Sequence, residues 1–192
     1  KTNLRRLWNS KNLRSIYLVN FLLQTFYVIM VIFTPLYLTH IKGFSWEEIS
    51  IIFFVMLAPF VLLQYPLGRI ADMRFGEKEI LIFGLIVLGL STLMLSAISS
   101  SSVWMWATVL FVTRIGAATV EVMCDSYFFK HVHVDDTGLV SLYRCIAPIA
   151  GIVIPIFATI AIAFGGYGQL FSLLGLFCLL AIIPATMIKD TK

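Results

Sequence analysis

Between Ile16 and Ile188 the chain consists of six long apolar runs separated by short polar links. The runs cover about 16–38, 46–67, 80–98, 103–129, 139–164 and 170–188. Each holds roughly twenty residues, and a helix rising ~1.5 Å per residue needs about that many to cross a ~30 Å hydrocarbon core. Hydrocarbon offers no water to unpaired backbone, so spanning segments of this length must be helical. The expected fold class is all-α: a polytopic membrane protein with six transmembrane helices. A hydrophobic content of 60% against a charged content of 12% leaves little room for a separate soluble domain. The expected organisation is a basic amphipathic lead-in over 1–15, a six-helix bundle over 16–188 and a short tail over 189–192.

The basic residues orient this bundle. Lys1, Arg5, Arg6, Lys11 and Arg14 are interleaved with Leu4, Leu7, Trp8 and Leu13 at roughly helical spacing, which suits the anionic cytoplasmic surface of a membrane. The lead-in, the links after runs two and four, and the tail together hold eleven Lys and Arg, whereas the links on the other side hold Lys42 alone. Both termini are therefore expected in the cytoplasm, with the bundle in the plasma (bacterial inner) membrane. The same bias accounts for the net charge of +4 without a nucleic-acid partner. Cys124, Cys145 and Cys178 all fall inside apolar runs with no Cys-x-x-Cys spacing, so neither a disulfide framework nor a metal site is expected. His131, His133 and Asp135 read as loop residues, with Asp136 or Thr137 capping the next helix. Ser45 and Glu48 have capping-box spacing, and Phe44 and Ile49 are placed as its hydrophobic staple.

Four charged residues lie well inside the runs, away from the capping acids Glu47 and Glu48 at the start of the second. Arg114, Ala118, Glu121 and Asp125 are four, three and four residues apart, which holds them within about 60° of arc on a helix. Arg144, Pro148, Gly151 and Pro155 repeat that spacing in the fifth run, and Asn20, Gln24 and Tyr27 form a polar stripe in the first. A charge at the bilayer centre costs at least ~2.5–3.5 kcal/mol, so these faces are expected to point inward. Depth alone makes Arg144–Asp125 or Arg144–Glu121 the expected ion pair, while Arg114 lies deeper, two turns from Glu121. The cluster reads either as a structural ion-pair network joining the fourth and fifth helices or as a path for substrate or protons, and the two are compatible. The stripe on the first helix reads likewise as interhelical hydrogen bonding or as solute contact.

The charged island Pro66–Lys78 separates the second and third runs. It resembles the signature G-x-L-A-D-R-x-G-R-K that the major facilitator superfamily carries between its second and third helices. Here it reads Gly68, Arg69, Ile70, Ala71, Asp72, then Met73, Arg74, Phe75, then Gly76, Glu77, Lys78. The step from Asp72 to Gly76 is one residue longer than in that pattern, and Glu77-Lys78 replaces a basic pair. Arg114-Ile115-Gly116 resembles that family's helix-four motif R-x-x-Q-G without its glutamine. Ala147–Gly151 keeps only the proline and one glycine of the antiporter motif G-P-x-x-G-G, too little to assign antiport.

The resemblance implies a fold of twelve helices in two six-helix bundles, of which this chain is one. The first residue, Lys1, the basic lead-in and the charged end favour the C-terminal bundle. It further implies a secondary transporter, symporter or antiporter, moving a small-molecule solute by alternating access. Its partners are then the bilayer and the other six-helix half, with no bound cofactor and a proton gradient as a candidate driving force. Gly68, Arg69, Asp72, Arg74, Gly76 and Lys78 would form a conformational latch, with Asp72 set against a helix N-terminus and the neighbouring arginines. Helices one and four would line the cavity. With the inward face of the fifth run added, Asn20, Gln24, Tyr27, Arg114, Glu121, Asp125 and Arg144 are the candidates for the substrate or proton path. Two rivals are a six-helix assembly subunit that transports nothing and an intramembrane enzyme. Against the enzyme, the G-x-S-G of rhomboid-like proteases and the D-G-x-x-A-R of membrane phosphatidyltransferases are absent. The fold leaves the solute open.

Overall fold

The structure, a computed structural model, describes residues 10–73, 76–132 and 136–189. Seven helices follow in order: α1 (Lys11–His40), α2 (Trp46–Met73), α3 (Glu77–Ala97), α4 (Val103–His131), α5 (Thr137–Arg144), α6 (Ile146–Leu180) and α7 (Ile182–Thr186), with no strand among the described residues. Among the described residues, five stretches are long and apolar enough to cross a membrane: Lys11–His40, Trp46–Arg69, Glu77–Ala97, Val103–His131 and Thr137–Thr186.

The sixth expected span is not counted as a separate stretch, because α6 is two helices that run together across a kink after Phe164. Only Gly166 leaves helical backbone, at φ 71° and ψ −177°, a region that a side chain would strain. A straight helix over the 50 residues Thr137–Thr186 would be ~75 Å long, more than twice the hydrocarbon core. The chain turns back instead. The Tyr17 hydroxyl donates to the Leu139 carbonyl at 2.6 Å, near the start of α1. The Tyr167 ring lies 5.3 Å from Tyr37, near the end of α1. The Lys189 amide then donates to Asn12 Oδ1 at 3.4 Å, back at the start. Entry and exit of this last stretch therefore share one end of the bundle.

Two helix boundaries differ from the sequence reading. The first helix begins at Lys11 rather than Ile16, with Ser10 as its N-cap and Ser10 Oγ accepting from the Leu13 amide at 3.4 Å. The end of the basic lead-in is thus continuous with the span. The second helix runs on through Pro66 to Met73 rather than stopping near Leu67. A proline forfeits one backbone donor, and spanning helices tolerate that loss where neighbouring groups satisfy the freed carbonyl, so the helix need not end there. Most of the charged island is helix, and only 74–76 separate α2 from α3. The capping box forms as its spacing requires: the Ser45 amide donates to Glu48 Oε2 at 2.9 Å, and the Glu48 amide to Ser45 Oγ at 3.2 Å. Phe44 and Ile49 are both buried beside it.

Helices α3 and α4 pack backbone against backbone. A Cβ at Gly116 would lie 2.6 Å from the Leu88 nitrogen and 2.9 Å from the Gly84 carbonyl, so only glycine permits this approach. Each end of the bundle is closed by aromatic rings. Near His40, Lys42 Nζ donates to the Ile98 carbonyl at 2.8 Å and lies over the rings of Tyr37 and Trp106. At the opposite end, Phe128 and Tyr143 stack at 4.1 Å, and the Tyr127 hydroxyl donates to the Lys189 carbonyl at 3.0 Å.

Candidate functional site

The polar interior is built where α1 meets α4. Tyr27 projects from the stripe on α1, and its hydroxyl donates to Glu121 Oε2 on α4 at 2.8 Å. The same ring lies 5.4 Å from the Arg114 Cζ, with the rings of Phe26 and Phe60 at 5.5 and 5.8 Å. Arg114 is only 2% exposed. Its Nε and Nη2 have no hydrogen-bond partner among the described residues. Aromatic faces attract a desolvated guanidinium by ~2 kcal/mol, yet they accept none of its in-plane donors. Helical spacing puts Arg114 and Glu121 two turns apart on one face, and Tyr27 spans that gap, its ring at one residue and its hydroxyl at the other.

Along the same face toward Lys130, Glu121 and Asp125 line a cavity of about 410 Å³ with Gln64, Val122, Ser126 and Phe129. It lies between α2 and α4. Asp125 accepts from the Tyr143 hydroxyl at 2.9 Å. Here the expected ion pair is corrected: Arg144 is exposed, and no ion pair joins it to Asp125 or Glu121 among the described residues. The neighbouring residue meets Asp125, so rotation about the helix axis is what the sequence reading misplaces. Neighbours on a helix point ~100° apart, and it is Tyr143 that faces α4. Pro148 and Gly151 are exposed as well and Pro155 is half-buried, so most of the face expected to point inward from this helix lies on the surface of the described bundle.

On α1, Gln24 Nε2 donates to Asn20 Oδ1 at 3.3 Å. Those two side chains are tied within their own helix, and Tyr27 makes the crossing to α4. Of the latch residues, Gly68 and Arg69 sit in the last turns of α2, with Arg69 exposed. Gly76 is the N-cap of α3 and Lys78 lies in its first turn, half-buried. The Asp72 side chain and Arg74 lie outside the described residues, as do His133 and Asp135. His131 stacks on Tyr127 at 4.1 Å, its Nδ1 2.8 Å from the Tyr127 carbonyl.

Three features went unread in the sequence. Glu77, 2% exposed, forms an ion pair with Lys130 and accepts from Ser126 Oγ at 3.4 Å, tying the start of α3 to the end of α4. Its signal was the acid standing in place of a basic residue after Gly76. Tyr143 as the partner of Asp125, and the ring cage over Arg114, had no sequence signal beyond aromatic residues that any spanning helix carries.

The family model described as Major Facilitator Superfamily matches residues 16–192. No curated protein matches the chain.

Proposed function

This chain belongs to the major facilitator superfamily, and on that basis we propose that it forms a six-span bundle of a secondary transporter. The family and the apolar helices make it an integral membrane protein whose family transports small solutes. The proposal adds that the solute moves by alternating access between this bundle and a second one. The turn at Gly166 supports counting Thr137–Thr186 as two spans, because both of its ends meet the start of α1. An even number of spans agrees with two cytoplasmic termini, and the distribution of Lys and Arg supports that orientation.

The observation that carries the reading is the Tyr27–Glu121 contact between α1 and α4, beside the polar cavity that Glu121 and Asp125 share. Intramembrane acids of this kind mark translocation routes and proton relays. A contact joining two helices through one hydroxyl can also break and reform as they rock. In this reading Asn20, Gln24, Tyr27, Glu121 and Asp125 line the route on this side, and Arg144 stands near its cytoplasmic mouth. Asp72, with Arg69 and Arg74, acts at that face as the latch. A proton gradient supplies the driving force, and no bound cofactor takes part.

The test is flux. The full-length protein is reconstituted in proteoliposomes and offered neutral, cationic and anionic solutes with and without an imposed pH gradient. Saturable uptake that the gradient accelerates supports the proposal. Absence of saturable flux for every class would leave a membrane subunit that transports nothing.

A further inference from the structure

Among the described residues, the Arg114 guanidinium is buried with one edge left without an acceptor. Arg114 is 2% exposed, and Nε and Nη2 are both unpartnered among the described residues. These two nitrogens flank a single edge of the guanidinium. Their N–H bonds run nearly parallel along it, the arrangement that grips a carboxylate or a phosphate with two bonds at once. The surrounding groups do not serve this edge. Phe26, Tyr27 and Phe60 present rings, whose electrons attract the cation through its face. The nearby polar groups are engaged elsewhere: Glu121 with the Tyr27 hydroxyl, Asp125 with the Tyr143 hydroxyl, and Asn20 with Gln24.

A buried charged donor left without an acceptor is destabilising, and α4 could have carried an apolar residue here at no such penalty. We infer that Arg114 is the docking point for an anionic solute, whose carboxylate or phosphate group is held by the Nε–Nη2 edge. The inference rests on the transport reading and names the solute class within it. The rings then have a second use. They hold the guanidinium in place while leaving its in-plane donors unspent, so the binding geometry is formed before the solute arrives. Access has a hinge in α2, where Pro59 immediately precedes Phe60 and removes the hydrogen bond to the Val55 carbonyl one turn earlier.

The same oxyanion chemistry could come from a lipid headgroup, and the experiment separates the two sources. Thermal melting of the full-length protein in a non-ionic detergent is followed with acetate, succinate, citrate and inorganic phosphate. Acetamide and succinamide serve as neutral matches, and phosphatidylglycerol is the lipid arm. A ligand that binds the folded state raises the melting temperature in proportion to its saturation. The expected result is a rise with at least one free anion and none with the neutral matches. Arg114→Lys keeps the charge but loses the two parallel donors, and should weaken that anion about thirty-fold or more. Arg114→Gln should abolish the response while remaining folded, since it removes an unpaired charge. No rise with any free anion overturns the inference, as does an unchanged response in both variants, or a response to phosphatidylglycerol alone. Saturable flux of a neutral solute that Arg114→Lys leaves intact, without anion binding, would keep the transport reading and sink this one. Arg114-dependent anion binding without flux would uphold the docking site and sink the transport reading.

Discussion

Tyr27→Phe is the sharpest probe of the α1–α4 contact because it removes one oxygen and little else. The ring stays over Arg114, so the cation–π contact at 5.4 Å is retained while the 2.8 Å hydrogen bond to Glu121 is lost. In soluble proteins a hydrogen bond to a charged group contributes ~1.5–3 kcal/mol. Between membrane helices the average is ~0.6 kcal/mol, with a ceiling near ~1.7, because the alternative state also finds partners. Glu121 borders the 410 Å³ cavity, where water can take over part of the lost contact, so the membrane range governs. The expected loss is about 1 kcal/mol, or roughly 2–4 °C in melting temperature for a chain of this size. A double-mutant cycle with Glu121→Ala isolates the pair, since alanine offers no acceptor to the hydroxyl. Measured by denaturant titration in bicelles, the coupling should come to about 1 kcal/mol. A coupling below ~0.3 kcal/mol would mean that the two side chains do not meet in the membrane, and the site as drawn would be wrong.

Other substitutions follow from the packing. Gly116→Leu forces α3 and α4 apart, because its Cβ would fall 2.6 Å from the Leu88 nitrogen. The cost should exceed the ~1–3 kcal/mol of ordinary overpacking, and the variant should be lost from the folded fraction in size-exclusion chromatography. Ser45→Ala removes the acceptor for the Glu48 amide and should cost ~0.5–2 kcal/mol in the same titration. Arg144→Gln should change stability by less than ~0.5 kcal/mol, since this exposed residue forms no ion pair with Asp125 or Glu121. A loss of several kcal/mol there would restore the ion pair expected from depth.

Features set by neighbours along the chain were legible in the sequence. The Ser45–Glu48 box is a three-residue affair, and its two hydrogen bonds form as the spacing demands. The spans themselves follow from run length, since nothing but a helix satisfies backbone in hydrocarbon. The last turn was only partly legible. Three glycines announce a reversal but not that a single residue, Gly166, performs it while the flanking glycines stay helical. Rotation about a helix axis was the main loss. Arg144 and Tyr143 have nearly the same depth, and which of them faces Asp125 depends on how α5 packs against α4. The cage over Arg114 draws on α1, α2 and α4 together, and no single stretch encodes it. The ion pair of Glu77 with Lys130 joins positions 53 residues apart, and only a departure from the expected charge pattern hinted at it.

The most direct test of the account is proton-driven accumulation by Glu121→Gln in proteoliposomes of the full-length protein. The glutamine keeps an acceptor for the Tyr27 hydroxyl, so the fold should persist, but it can neither lose nor gain a proton. The account predicts that uphill accumulation under an imposed pH gradient disappears while solute exchange across equal pH continues. Full uphill accumulation by Glu121→Gln would contradict it, and would reduce the α1–α4 contact to structural support.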